Sequence, residues 1–475
     1  MSPRNLVPPL KSLCLRTISN KLIHALSDDE GANFTPVAEY VSSVTFEVLQ
    51  DLLAVILDSV NLDANIRFSC LELLLRTDVR KLDVGMFPQF YYTKILEAIA
   101  TRGNGIQHLN LKGVWARDFP HLLSELVRSL RGLRTLLIPH MADDAVIEAI
   151  LTLEELVVLD ISGEACFTEE GIRRLRSDTL QVLEVGMFGK LNVCQQDDAG
   201  AALVANLIEN LPNLISLKIY SYTGSALLVF HKKHPKRKTR LKYLHDVGTT
   251  NETMDCMVKV SPDLENIHLD AAEAGVLEKL STFRNLYILK LTKCDLREFL
   301  SFITLSGDRL KVLKLNHSKK ESLDLSQICL FAPNLQILEC YHMKLTFMNP
   351  DTYFMSLINV DLTYCDMSDD VVRMVLMNSP FLRQVVIGSI IRMTDGDVFR
   401  LCAECDFYNL EELWISCARS LTVISVELLM GHCRNLRQIG QLNGWDLSLD
   451  EIDYLKIIIA STNTDLKLLY TDNFQ

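Results

Sequence analysis

The sequence has no apolar run long enough to span a membrane. Its first apolar stretch, LVPPLKSLCLRTISNKL from Leu6 to Leu22, is interrupted by Lys11, Arg16 and Lys21. No small-residue cleavage site follows it, so it does not read as a secretory signal. A phosphate loop of the G-x-x-x-x-G-K type is missing, and so is a G-x-S-x-G nucleophile elbow. An excess of positive charge is missing too. Lys and Arg number 48 against 60 Asp and Glu, a net charge of −12, which argues against a general nucleic-acid binder. The 13 cysteines are odd in number and scattered through apolar stretches, which reads as reduced thiols in a cytoplasmic or nuclear protein. CAEC, Cys402 to Cys405, has zinc spacing but no second pair near it, so these residues are assigned to the core with Cys294, Cys340 and Cys365. Neither a metal nor a cofactor is implied, and no catalytic residue emerges.

What is present is hydrophobic and long. Hydrophobic residues make up 48% and charged residues 23%, the balance of a folded chain. A chain of 475 residues exceeds one ordinary core, so it has several domains or a repeat. A repeat is found. From position 79 onward the pattern apolar, two variable, apolar, one variable, apolar returns. The segment NLYILKLTKCDL places Leu286, Leu289, Leu291, Cys294 and Leu296 on L-x-x-L-x-L-x-x-C-x-L. Sixteen copies start at Val79, Ile106, Leu133, Leu156, Leu180, Leu214, Leu241, Leu264, Leu286, Leu310, Leu335, Leu357, Leu382, Leu410, Leu436 and Leu466, mostly 22 to 28 residues apart. That is the period of leucine-rich repeats.

The spacing fixes the architecture. Alternate side chains of a strand face opposite ways, so Leu289 and Leu291 turn inward while Lys290 turns outward. One repeat cannot bury its apolar edge alone, so neighbours stack. The expected fold class is α/β: a leucine-rich-repeat solenoid, curved, with a parallel inner sheet and helices outside, preceded by an all-α module. Segments opening at Thr168, Ser368 and Thr394 begin with a hydroxyl followed by acidic residues, as helix N-termini prefer. Residues 1–70 lack the repeat and read as a helical adaptor-binding or capping module with a polar break from Ser27 to Pro36, and residues 71–475 as the repeats. The step from Leu180 to Leu214 is longer, and GKLNVCQQDDAGAALV is expected to loop there. HKKHPKRKTR, His231 to Arg240, lies on the return side of the next repeat. It reads as a solvated loop, a nuclear-import patch or a contact for an acidic partner.

The variable place between the second and third apolar residues samples the open face of the sheet. It carries acids early, then Lys218, His245, His268, Lys290 and Lys314, then Glu339 and Asp361, with Trp414 at the end. Tyr220 and Tyr341 lie beside this row. Tyrosine, tryptophan and cations carry much of the energy of protein interfaces, so these residues form the candidate substrate surface.

PLKSLCLRTI, Pro9 to Ile18, is similar to the elongin-binding box [STAP]-L-x-x-x-C-x-x-x-[aliphatic] of ubiquitin-ligase substrate receptors. Pro9, Leu10, Cys14 and Ile18 fill its four defined places, and Leu13 lies on the same stretch. Leu10 and Cys14 are one helical turn apart. VTFEVLQDLL, Val44 to Leu53, resembles the cullin-selecting box, with Val44, Val48 and Leu52 in the apolar places and Thr45 where proline is expected. Box, box and leucine-rich repeats together resemble the zyg-eleven and zer-one receptors. The likeness does not extend to the armadillo repeats those proteins carry.

The resemblance implies a non-catalytic receptor of a cullin-RING ubiquitin ligase. Its partners would be elongin B/C, a cullin and a protein substrate, with no nucleic acid and no membrane. Two alternatives remain at this stage: an F-box-like receptor using the Skp adaptor, and a leucine-rich scaffold outside any ligase. In the last case the first helix merely caps the repeats. The distinguishing feature is whether the Pro9–Ile18 face is free or buried.

Overall fold

The structure, a computed structural model, describes residues 3–4, 7–27, 34–59, 61–164, 166–186 and 198–470. The chain divides into two compact units. The first is Pro8–Asp246 with Lys259–Ser261; the second is Met1–Val7, Val247–Val258 and Pro262–Gln475.

The first unit opens with four helices: α1 (Leu10–Ser27), α2 (Phe34–Ser42), α3 (Phe46–Leu57) and α4 (Ala64–Leu74). Residues 28–33, most of the expected polar break, lie outside the described residues. α3 is the hub of the group. Leu49, Leu52, Leu53, Ile56 and Leu57 are buried at helical spacing, and α1 and α4 pack on it. Then come the strands β1 (Lys81–Asp83), β2 (His108–Asn110), β3 (Thr135–Leu137), β4 (Val158–Asp160), β5 (Val182–Gly186), β6 (Ser216–Ile219) and β7 (Tyr243–Val247). β1 to β7 lie side by side in chain order, and the registers from β1 to β7 are parallel.

The edge of β1 is closed by a side chain. Gln50 of α3 accepts from the Arg80 and Lys81 amides through Oε1, at 3.1 and 2.9 Å, and its Nε2 donates to the Lys81 carbonyl. One glutamine thus reproduces the hydrogen bonds of a neighbouring strand, which an open edge otherwise leaves to water or to another chain.

The second unit carries β8 (Asn266–Asp270), β9 (Ile288–Thr292), β10 (Val312–Asp324), β11 (Ile337–Thr346), β12 (Asn359–Thr363), β13 (Gln384–Ile390), β14 (Glu412–Cys417), β15 (Gln438–Gly440) and β16 (Lys467–Leu468). They too are parallel and in chain order. Each expected copy of the repeat supplies one strand.

The register aligns the second leucine of each copy. In the first unit Leu82, Leu109, Leu136, Leu159, Leu183 and Leu217 are cross-strand partners. In the second, Ile267, Leu289, Leu313, Leu338, Val360, Val385, Leu413 and Ile439 continue the same rule. All of them are buried. Burying one such side chain contributes about 1.5–3 kcal/mol, so the ladder is the main adhesive between repeats.

Four residues after seven of these positions the chain turns through the left-handed region. Gly163 does so with φ 93°, and His140, Ala271, Lys293, His317, His342 and Tyr364 do so with side chains present. The return segments hold the helices expected at the hydroxyl-acid signals: Glu169–Arg173, Asp369–Met377 and Asp395–Glu404. The last has a capping box between Thr394 and Asp397.

One expectation is corrected. Residues 189–197 of the expected loop lie outside the described residues, but Asp198 to Val204 belong to a helix, Asp198–Asn210. Its alanines and leucines favour helix over loop. No helix among the described residues is long and apolar enough to cross a membrane.

Candidate protein-interaction surfaces

α1 begins directly after Pro9, and the Leu13 amide donates to the Pro9 carbonyl at 3.1 Å. The helix has two faces of different fate. Ser19 and Leu22 are buried and Leu15 is half-buried, and this side lies against α3 and α4. Lys11 pairs with Asp51 of α3 at 2.7 Å. The other side stays in water. Leu10 is 76% exposed, Leu13 37% and Ile18 43%, and Pro9 and Cys14 are exposed with them. All five candidate adaptor residues therefore share one accessible side. The packing side escaped the sequence reading, although Leu15, Ser19 and Leu22 carry the i, i+4, i+7 spacing that marks it.

The second box lies around the start of α3. Thr45 is the exposed residue before the helix and makes no side-chain cap bond. Val44 and Val48 are half-buried, and Leu52 is only 3% exposed. Leu52 belongs to the packing between helices and offers nothing to a partner in this conformation.

On the open face of the second unit, the register sets His268, Lys290, Lys314, Glu339, Asp361, Val386 and Trp414 in one row. Much of the charge is satisfied internally. Lys314 pairs with Glu339 at 2.7 Å, and the Tyr341 hydroxyl donates to Asp361 at 2.7 Å. Burial raises the Asp361 carboxyl above its ordinary pKa, against the opposing effect of hydrogen bonds from Thr363 and Tyr341. Burial likewise raises the Tyr341 phenol. Nε2 of His268 lies 3.3 Å from Thr292 Oγ1. Lys290 and its neighbours in the row, His268 and Lys314, are half-buried.

Trp414 corrects an expectation. It is only 6% exposed because the facing residue of the next strand is Gly440. A Cβ at Gly440 would lie 2.0 Å from the indole Cε3, so the ring occupies the space that a side chain would take. At the rim of the same sheet, His317, His342 and Tyr364 form an aromatic series with ring centroids 4.7 and 5.1 Å apart. Tyr364 is largely exposed, and this series lay beyond the row sampled from the sequence.

In the first unit Lys218 pairs with Glu184 at 3.0 Å, and Tyr220 meets His245 edge-on at 5.2 Å. The basic segment is partly committed to its own repeat. Lys233 pairs with Glu209 at 2.5 Å, Arg237 lies over Phe230, and Arg240 donates to Asn213. The hydrogen bond from Lys233 holds the Glu209 carboxyl below its ordinary pKa. Lys232, Lys236 and Lys238 remain exposed. The Cys402 and Cys405 thiols are both pushed up to about 11 by burial, and Cys294 to about 12, so they stay protonated near neutral pH.

Repeat pattern, register and return helices define a leucine-rich-repeat fold. No protein-family model matches the chain, and no curated protein matches it by sequence. Solved structures that resemble it include the complex of Rad7 and Elc1 from yeast, with 13% identity, 88% of this chain and 95% of that chain covered, and a TM-score of 0.49. An internalin of Listeria monocytogenes is similar at 14% identity over 82% of this chain and 96% of that one, TM-score 0.37. A leucine-rich-repeat protein of Leptospira interrogans is similar at 14% identity over 88% and 97%, TM-score 0.34.

Proposed function

We propose that the protein is a substrate-recognition subunit of a cullin-RING ubiquitin ligase, holding elongin C on the exposed face of α1 and a protein substrate on the open face of the repeats. One observation carries the reading. The box residues Leu10, Cys14 and Ile18 stand free while the opposite side of the same helix supplies the packing. A helix serving only as a cap keeps its apolar side against the repeats; this one leaves much of it in water, which calls for a partner. On this reading the chain performs no bond chemistry. It raises the effective concentration of a substrate near the ubiquitin donor, in the cytoplasm or nucleus.

The substrate contacts proposed are Lys290, Lys314, Tyr341, Asp361 and His268 in the second unit, and Lys218, Tyr220 and His245 in the first. The Lys314–Glu339 and Tyr341–Asp361 pairs hold their side chains in fixed positions, which lowers the entropy cost of binding. The cullin contact is proposed at Val44 and Val48.

The test is co-expression of the full chain with elongins B and C, beside a Leu10→Ser, Cys14→Ser double variant. Co-purification of both elongins with the wild type and not with the folded variant is the expected result. Absence of both elongins from the wild type removes the ligase assignment.

A further inference from the structure

The loops that follow β1 and β2 carry a second exposed apolar surface. Met86 is 78% exposed, Phe90 71% and Trp115 56%. Elsewhere in the chain tryptophan is buried, Trp414 at 6% and Trp445 at 5%. Met86 borders a cleft of about 690 Å³, also lined by Leu53, Ala54, Val55 and Leu57 of α3. Val55 is itself 44% exposed, so the apolar surface runs from α3 across the two loops.

The two loops are held against each other. A Cβ at Gly113 would lie 1.9 Å from the Gly85 carbonyl oxygen and 2.7 Å from the Met86 amide nitrogen, so the loops after β1 and β2 abut backbone to backbone. The Trp115 indole is stacked on His140 at 5.1 Å with 14° between planes. Large aromatics and methionine, held in place before binding, are the residue types that anchor protein interfaces.

The surrounding charge is acidic. Asp58 and Asp83 line the cleft, and Asp118 follows Trp115; none has an ion-pair partner among the described residues. Asp51 is engaged by Lys11. The cations lining the cleft are Lys81 and Arg67, and Arg67 is buried over the Phe87 ring at 4.5 Å. Beside Trp115, Arg117 is neutralised by Glu164 at 2.9 Å, and near Phe90 Lys94 lies over the Tyr91 ring.

We infer that Met86, Phe90, Trp115 and the adjoining cleft dock a partner-protein segment with an apolar anchor and flanking basic residues, at a place distinct from the exposed face of α1. The apolar anchor enters beside Val55 and Met86, aromatic and aliphatic groups cover Trp115, and lysines or arginines meet Asp58, Asp83 and Asp118. A nucleic acid is disfavoured by those same carboxylates.

The experiment uses the full chain and two labelled amphipathic peptides of about 16 residues, with Leu at i, i+3, i+4 and i+7 and either Lys or Glu elsewhere. Binding is read by anisotropy and by acrylamide quenching of tryptophan, which reports Trp115 because the other two indoles are buried. The Lys peptide is expected to bind and to shield Trp115. The exposed substitutions Met86→Glu and Asp58→Lys each weaken it about tenfold or more with unchanged thermal unfolding. Leu10→Ser leaves it unchanged, and Met86→Glu leaves elongin co-purification unchanged, so this inference and the adaptor reading fail separately. Equal binding of the Glu peptide, equal binding to both variants, unshielded Trp115, or no binding of the Lys peptide overturns it.

Discussion

Replacing Leu10 and Leu22 one at a time separates the two faces of α1. Leu22 is 7% exposed and lies on the packing side; Leu10 is 76% exposed. Truncating a buried leucine to alanine costs about 2–5 kcal/mol, and the edge position of α1 places Leu22→Ala toward the lower end, about 2–3 kcal/mol. Leu10 buries only a quarter of its surface, so its share of a full leucine transfer is about 0.5 kcal/mol, and Leu10→Ser falls within the ordinary scatter of surface changes. Amide hydrogen exchange of residues 10–27, with thermal unfolding of the whole chain, reads both effects. Leu22→Ala is expected to accelerate exchange throughout α1 by at least about tenfold, and Leu10→Ser to leave it unchanged. If Leu10→Ser loosens α1 as much as Leu22→Ala, the exposed face is contributing to packing and the separation of roles is wrong.

Three further outcomes are expected. Gln50→Ala frees the edge amides of Arg80 and Lys81 to solvent, costs about 1–2 kcal/mol over its three bonds, and speeds amide exchange at β1 first. Gly440→Ala drives a methyl into the Trp414 ring and costs about 1–3 kcal/mol, read as a lower Tm with altered tryptophan emission. The Asp397 carboxyl is held below its ordinary pKa by the Thr394 backbone and side-chain hydrogen bonds. A depressed carboxyl stabilises the fold above its unfolded pKa, about 4, and that contribution disappears as pH falls through the folded value. Urea titrations are therefore expected to show wild type ahead of Asp397→Asn at pH 7, with the gap closing below about pH 4.

The strands were legible because two periodicities coincide. Alternation places Leu289 and Leu291 inward, and the recurrence of the pattern brings each leucine opposite the next, so one rule placed Leu82 through Ile439. Helix starts at Thr168, Ser368 and Thr394 were legible from local chemistry alone. The failures arose where a neighbouring repeat decides. Trp414 sits in a row position that is half-buried from His268 to Asp361, and the glycine one strand away leaves room for its ring to lie down. Leu52 fits a box pattern, but α1 and α4 cover its side of α3. On α1, both sides carry apolar residues at helical spacing, so the sequence did not determine which side α3 and α4 would claim. The Met86–Phe90–Trp115 surface was missed because the repeat pattern samples strands, and these residues lie in the turns after them.

The central claim concerns the free side of α1, and a titration of purified elongin B–C into the purified chain tests it most directly. Wild type and Leu22→Ala are expected to bind at comparable strength wherever Leu22→Ala remains folded. Leu10→Ser is expected to lose about tenfold or more while its unfolding curve matches wild type, as the removal of a buried interface anchor requires. Wild-type and Leu10→Ser chains that bind equally, or that both fail to bind, contradict the account.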